Sequence, residues 1–386
     1  DGPVEISGPS GSKIIASLNQ WRKRVGTTEW TGVSQSMALP VENLSNVYVM
    51  PRYDYTNPTR LYNAVLLANV DTVARDITVT IGGNVMGTYT LDPSESQYKT
   101  YSGVAGGPVV VSSDTGAQII ASIYELRRDP NLAGWNGQSE MMGLPWEQLS
   151  DQYVLPIYFG VASAATLDAR MFIANADAVE REITVKIAGA TVDTFTLQGN
   201  TGKVVKYAMD GGPVEISGPS GSKIIASLNQ WRRRVGTTEW TGVSQSMALP
   251  VGNLSNVYVM PRYDYTNPTR LYNAVLLANV DTVKRDITVT IGGTVMGTYT
   301  LGPSESQYKT YIRVAGGPVV VSSDTGAKII ASIYELRRDP NFAGWNGQSE
   351  MMGLPWEQLS DQYVIPIYFG VASINTLDAR MFIAVP

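Results

Sequence analysis

The sequence predicts an all-β protein: tandem immunoglobulin-like β-sandwich domains of about 105 residues, arranged in a 210-residue super-repeat. Three observations lead there. Residues 1–176 align without gaps to 211–386 with 15 differences, and a weaker period of 105 lies inside that one. The repeats read as short strands, because 77–81 (ITVTI) and 183–187 (ITVKI) alternate apolar and polar residues with the period of two of a half-buried strand. Turn signals recur every 8–12 residues. No clean 3.6-residue periodicity separates the strands, as a parallel α/β sheet would require. About seven short strands per repeat is the pattern of a two-sheet sandwich.

The elements follow in order. Residues 48–55 open the unit, and Pro51 inside that run predicts an edge strand or a bulge. Residues 61–69 and 77–81 come next. Residues 85–91 are β-branched and aromatic, bracketed by Gly82-Gly83 and Pro93. Residues 97–101, 108–112 and 117–125 complete the set. About 25 irregular residues then lead to the next unit, with Trp30, Trp135, Trp240 or Trp345 early and a Leu-Pro step late. A loop of that length is uncommon unless packed or functional. These four Trp residues are expected to form an inter-domain connector that sets the angle between neighbours.

Units cut at the Tyr-Val-x-Pro strand give complete sandwiches at 46–150 and 256–360 (first type) and at 151–255 (second type). Residues 1–45 hold the last strands of a second-type unit, and 361–386 hold the first strands of one. The two pieces lack a counterpart of 177–210, which carries three middle strands. Val4, Ile6, Ile14, Ile15 and Leu18 at one end would have an uncovered face, as would Tyr363, Ile365, Leu377, Met381 and Ile383 at the other. Burying such a side chain contributes roughly 1.5–3 kcal/mol, and open strand edges template pairing with another chain. These ten residues are therefore expected to form a subunit interface. There, strands of one chain complete the sandwich of the next, as heterologous association requires. The alternative is that the chain is a window of a longer repeating polypeptide.

Composition excludes several functions. The 386 residues contain no Cys and no His. That removes disulfides, thiolate zinc sites, cysteine nucleophiles, imidazole bases and His metal ligands. The net charge of −5 lacks the basic field that nucleic acid requires. No apolar run reaches the roughly 18 residues of a membrane span.

Candidate chemistry is sparse. The eight Trp residues (Trp21, Trp30, Trp135, Trp146, Trp231, Trp240, Trp345 and Trp356) either stack on sugars or bury area at domain joints. Glu140 with Glu147, and Glu350 with Glu357, are the nearest thing to a glycosidase carboxylate pair, but the second-type units do not keep it. Asp54 to Asn57 reads as a turn rather than a calcium loop. Arg127-Arg128 and its repeats read as solvated strand ends, or as partners for a neighbour's carboxylates. Asn43 and Asn253 fit the N-glycosylation triplet. No catalytic, cofactor or metal residues are assigned.

The Tyr-Val-x-Pro strand, residues 77–83, the Gly-Gly-Pro-Val strand at 106–109, Ile-Ile-Ala-Ser at 119–122 and Gly-Gln-Ser-Glu-Met-Met-Gly-Leu-Pro at 137–145 carry a resemblance. Together they resemble the tandem immunoglobulin-like sandwich repeats of large secreted and surface proteins of bacteria. The phase of the ends separately resembles extracellular filaments that polymerise by donor-strand complementation. The resemblance implies an extracellular, structural or adhesive role without catalysis. The expected function is a subunit of a filament, tube or sheath that polymerises with itself, head to tail. The alternative is a cell-surface adhesin or carbohydrate-binding repeat protein, with glycans as partners.

Overall fold

The computed structural model describes residues 2–23, 30, 32–130, 134–135, 137–161, 165–233, 235–236, 238–340, 344–345, 347–370 and 376–386. Among them the protein is all-β, with several separate sheets and only single-turn 3-10 segments such as Val41–Asn43 and Trp146–Gln148. No helix among these residues is long and apolar enough to cross a membrane.

The first unit shows the repeating arrangement. One sheet has the order Leu144–Pro145, Val47–Met50, Val109–Ser112, Arg75–Ile81, Asn84–Leu91. The other has the order Ser96–Lys99, Leu61–Asn69, Ile119–Arg127, Gly137–Met142. Every pairing is antiparallel. Tyr48, Met50, Val65, Leu67, Ile77, Val79, Val111, Ile119 and Ile123 fill the space between the sheets and are inaccessible to solvent. The architecture is sandwich-like, and the second and third units repeat it.

Two sequence expectations change. Pro51 was expected inside an edge strand or bulge. Val47–Met50 instead ends just before it, and pairs on both sides, with Val109–Ser112 and with Leu144–Pro145. The proline therefore costs the ladder no donor. The connector was expected to be irregular. It contains Gly137–Met142, which pairs with Ile119–Arg127 over six residues, and it lies where neighbouring units meet.

Burial patterns separate two kinds of strand. Arg75–Ile81 alternates buried and open positions, as its sequence does, because one face meets solvent. Ile119–Arg127 is buried at eight of nine positions, because its sheet has a neighbour on each face. Val49 and Val110 on the five-stranded sheet of the first unit pack against Ala174 and Ile225 on the four-stranded sheet of the second. Val154 of the second unit packs against Ala278 and Ile330 of the third. Val259 of the third packs on Ile15, and Val364 on Ala68 and Ile120 of the first. The contacts run in one direction and return to their start, so the units form a closed ring.

Four strands line its centre: Gly32–Met37, Gly137–Met142, Gly242–Met247 and Gly347–Met352, each close to the next. Backbone amides bond serine hydroxyls from one unit to another around the whole circle. Glu140 N donates to Ser34 Oγ, Gln245 N to Ser139 Oγ, Glu350 N to Ser244 Oγ, and Gln35 N to Ser349 Oγ, at 2.8–2.9 Å. Gly137 allows this approach: a Cβ there would stand 1.6 Å from the Thr241 carbonyl oxygen.

The fourth unit is built from both ends of the chain. Val4–Ser7 pairs with Gln362–Ile365, and Ile15–Arg22 pairs with Leu377–Ala384. The ten end residues expected at a subunit interface lie in this unit. They meet inside one chain, because three face-to-face joints carry the ends round to each other. Ile6, Ile14, Ile15, Leu18, Tyr363, Ile365 and Leu377 are buried there, and Val4 is half-buried. Met381 and Ile383 stay 40% and 53% exposed.

The closure is directly testable in a chain without cysteine. Ser7 and Gln362 are register partners and both exposed, and antiparallel partners lie within disulfide reach. Oxidation of the Ser7→Cys/Gln362→Cys variant is expected to give a single crosslinked monomer on a non-reducing gel. A ladder of crosslinked multimers would mean that the ends pair between chains.

Candidate functional site

Two kinds of joint alternate round the ring. Their difference begins at one tetrapeptide: Tyr124-Glu125-Leu126-Arg127 in first-type units, and Asn229-Gln230-Trp231-Arg232 at the same place in the second.

From a first-type unit to the second-type unit after it, the joint centres on a carboxylate. Glu125 is fully buried. Its Oε2 lies 2.8 Å from Arg52 Nη1, and its Oε1 meets Arg127 Nε. Across the joint, Trp231 Nε1 donates to Glu125 Oε1 at 3.2 Å, and Gln245 Nε2 lies 3.5 Å from Oε2. The guanidiniums of Arg52, Arg127 and Arg170 stand 4.6–5.7 Å from the Trp231 ring centre, and Arg52 also covers Phe172. Burial pushes the Glu125 carboxyl up, but Arg127 and Arg52 outweigh it and hold it below the usual range. The other joint of this kind repeats the set with Glu335, Arg262, Arg337 and Trp21. Beside each joint is an open cleft, of about 520 Å³ at Trp231 and 550 Å³ at Trp21.

The other joint uses arginine against neutral acceptors. Arg22 donates to Gln138 Oε1 at 3.1 Å and to the Tyr124 hydroxyl at 3.3 Å. Arg232 does the same with Gln348 and Tyr334. Phe369 packs on Tyr124, and Phe159 on Tyr334, with ring centres 5.9 and 6.2 Å apart.

On the ring axis is a smaller cavity of about 170 Å³, lined by all four units, with Met37, Met142, Met247 and Met352 in its walls. Glu140 and Glu350 also line it, opposite in the cycle, with Gln35 and Gln245 at the corresponding second-type positions. Burial pushes both carboxyls up to about 7, offset only in part by hydrogen bonds from Ser122 and Ser332. Glu140 Oε2 has no hydrogen-bond partner among the described residues.

The remaining candidates are placed as follows. Trp135 and Trp345 carry Arg128 and Arg338 over their rings and touch Tyr62 and Tyr272. Trp30 and Trp240 carry Lys23 and Arg233, and Trp356 carries Lys13. Trp146 packs among Val49, Leu149 and Ile225 in the joint between the first two units. Glu147 and Glu357 accept from the Ser45 and Ser255 hydroxyls and are not paired with Glu140 and Glu350. Asp54 Oδ1 accepts from the Thr56 amide and hydroxyl, which makes the expected turn. Asn43 and Asn253 lie at the rim of the axial cavity. Of the basic pairs, Arg127 and Arg337 are not solvated strand ends but sit in ion pairs inside joints. No group of three or more His, Cys, Asp or Glu is placed to hold a metal ion among the described residues.

Sequence reasoning missed the Glu125 and Glu335 hubs. The available signal was a strand with apolar residues on both faces that carries Glu125 just ahead of Arg127-Arg128. No protein-family model matches the chain, and a search of curated proteins finds no match.

The joints give two expectations. Glu125→Gln keeps the shape, since Gln230 occupies the corresponding place, but leaves Arg127 without its carboxylate and Arg52 with Asp54 alone. Removing one partner of a buried pair costs about 3–5 kcal/mol, to be read from urea unfolding. Loss below 1 kcal/mol would show that the hub is dispensable.

Glu140 and Glu350 titrate in the opposite sense. Their folded pKa lies above the ordinary 4.5, so their contribution is intact below that value and is lost as pH rises through about 7. Stability is expected to fall by up to about 1.4 kcal/mol per pH unit per group across that window. Glu140→Gln/Glu350→Gln should flatten the fall, measured by unfolding at pH 5 and pH 8. An identical slope in the double variant would refute the assignment.

Proposed function

We propose that this chain is a non-catalytic structural module: immunoglobulin-like sandwich units of about 105 residues that form a rigid ring and serve in an extracellular assembly. The observation that carries this reading is the use made of the chemically capable side chains. Glu125 and Glu335 hold arginines and a neighbour's tryptophan in the joints. The rings at positions 30, 135, 240 and 345 lie under cations of their own chain. That leaves less aromatic face for sugar stacking and favours assembly over glycan binding.

The route to a polymer is exchange at the fourth unit. The strand pairs that close one ring can equally form between the C-terminal strands of one chain and the N-terminal strands of the next. Such exchange needs no new contact and, being heterologous, propagates. Extracellular placement rests on the resemblance of the repeats to those of secreted and surface proteins.

Electron microscopy of chain refolded at low micromolar and at near-millimolar concentration tests the reading. Closed particles at low concentration and ordered filaments or sheets at high concentration are expected. Monodisperse monomers throughout the range would overturn it.

A further inference from the structure

The joint between the first and second units carries more charge than packing requires. Where the second unit meets the third, the places of Arg52, Asp54, Arg170 and Trp231 are held by Ile157, Phe159, Ala274 and Leu336. Those residues close that joint as an apolar cluster with Leu276 and Tyr334. The same backbone arrangement therefore closes without these charges, and apolar residues in place of a buried ion pair are often neutral or stabilising. The arginines beside Trp231 call for a use beyond holding the units together.

They line the open cleft of about 520 Å³. Its walls carry Arg52, Arg127, Arg170 and Lys203 against Asp54 and Asp168, with Glu125 buried behind them. Lys206 reaches Asp168 as a fifth cation. Five cations thus meet three carboxylates, in a chain whose net charge is −5. Arg52 is buried and uses Nη1 on Glu125 and Nη2 on Asp54. Arg127 uses only Nε, on Glu125, so its two terminal nitrogens have no hydrogen-bond partner among the described residues. Arg170 holds Asp168 through Nε and Nη2 and leaves Nη1. Burial, helped by Arg52, pulls the Arg127 guanidinium below its usual range against the opposing effect of Glu125. An added anion would favour its charged form.

We propose that this cleft binds a carboxylated sugar, a uronic acid residue, with its carboxylate on the terminal edge of Arg127 and beside Arg170. Arginine pairs with a carboxylate through two parallel bonds, and the terminal edge of Arg127 has both nitrogens to give. Asp54, Asp168 and Asn200 add acceptors and an amide on the walls for the sugar hydroxyls. The same two aspartates repel ligands of higher charge, so the cleft suits one carboxylate per sugar rather than a run of phosphates or sulfates. Its volume falls within the roughly 300–1,000 Å³ of small-molecule sites. Recognition is by arginine and not by ring stacking, since Trp231 is buried and three guanidiniums stand against it. The ligand is thus an addition to the assembly role and does not depend on it.

Calorimetry on the full chain at low micromolar concentration tests the site, with galacturonate, tetragalacturonate and a neutral galactose tetrasaccharide as probes. Saturable binding of the uronates is expected, and none of the neutral sugar. Tighter binding of the tetramer assigns the ligand to a polysaccharide, and equal binding assigns it to the free sugar acid. The joint at Trp21 repeats the arginines as Arg262, Arg337 and Arg380, so substitutions are made in both joints. Arg170→Gln/Arg380→Gln, at side chains 42% and 63% exposed, should weaken binding by about tenfold or more and move the unfolding temperature little. Arg127→Lys/Arg337→Lys keeps the charge at the hub but loses the fork, and should weaken binding by at least as much. Lys309→Gln, in the cleft between the second and third units, should leave it unchanged.

Equal binding of the neutral tetrasaccharide would overturn the site, as would uronate binding that both arginine pairs leave intact. No binding at millimolar uronate would do the same. Tighter binding of a sulfated tetrasaccharide through the same arginines would overturn the choice of a carboxylate.

Discussion

Burial of the four-stranded sheets on both faces is the constraint on which the rest depends. Ile119–Arg127 and its counterparts are buried on the side facing their own core and on the side facing away. A lone sandwich would leave Ile120, Tyr124 and Leu126 in water. Each contributes about 1.5–3 kcal/mol when covered, so a second sheet must lie against them. The only other broad sheet face in a unit is that of the neighbour's five-stranded sheet, where Val49 and Val110 supply a matching surface. One face of each unit therefore seeks the opposite face of another. Such a heterologous contact either closes or propagates, and here four units close it.

The 210-residue period is a consequence of how the joints are chemically encoded. One buried carboxylate serves Arg52 and Arg127 and accepts from the next unit's Trp231. A glutamate at both facing positions would place a second charge without an arginine to meet it, and buried charge without a partner is costly. The second-type unit instead presents Gln245 and Trp231 to the carboxylate, and its Arg232 turns to the neutral Gln348 and Tyr334 of the following unit. Alternating the types gives every joint one consistent set of charges. The same alternation separates Glu140 from Glu350 by Gln35 and Gln245 around the axis, which keeps two poorly solvated carboxyls on opposite units.

The repeat and the strands were legible in the sequence. Alternation at Arg75–Ile81 was visible because that strand meets solvent on one side. The strand Gly137–Met142 was not, since Gly, Gln, Ser and Glu resemble loop chemistry. These residues form a strand because Ser139 and Gly137 permit contact with Gln245 and Thr241 of the next unit, which is tertiary information. The role of Trp30, Trp135, Trp240 and Trp345 in the connector was legible only as a choice between sugar and joint. What lies over each ring, Lys23 or Arg128 for example, depends on a strand end and a loop that meet in space. The partner of the end strands could not be read at all. Whether two such pieces meet within one chain or between two depends on the sum of the rotations at the joints, and no local pattern records it.

That rotation also decides what the fourth unit can do. Three joints already hold the ends near each other, so the pairing of Ile15–Arg22 with Leu377–Ala384 closes at an effective concentration no external chain easily matches. Below that concentration the ring is closed, and its strand edges at residues 4–7 and 377–384 are fixed in place rather than disordered. The same geometry disfavours exchange between chains at low concentration.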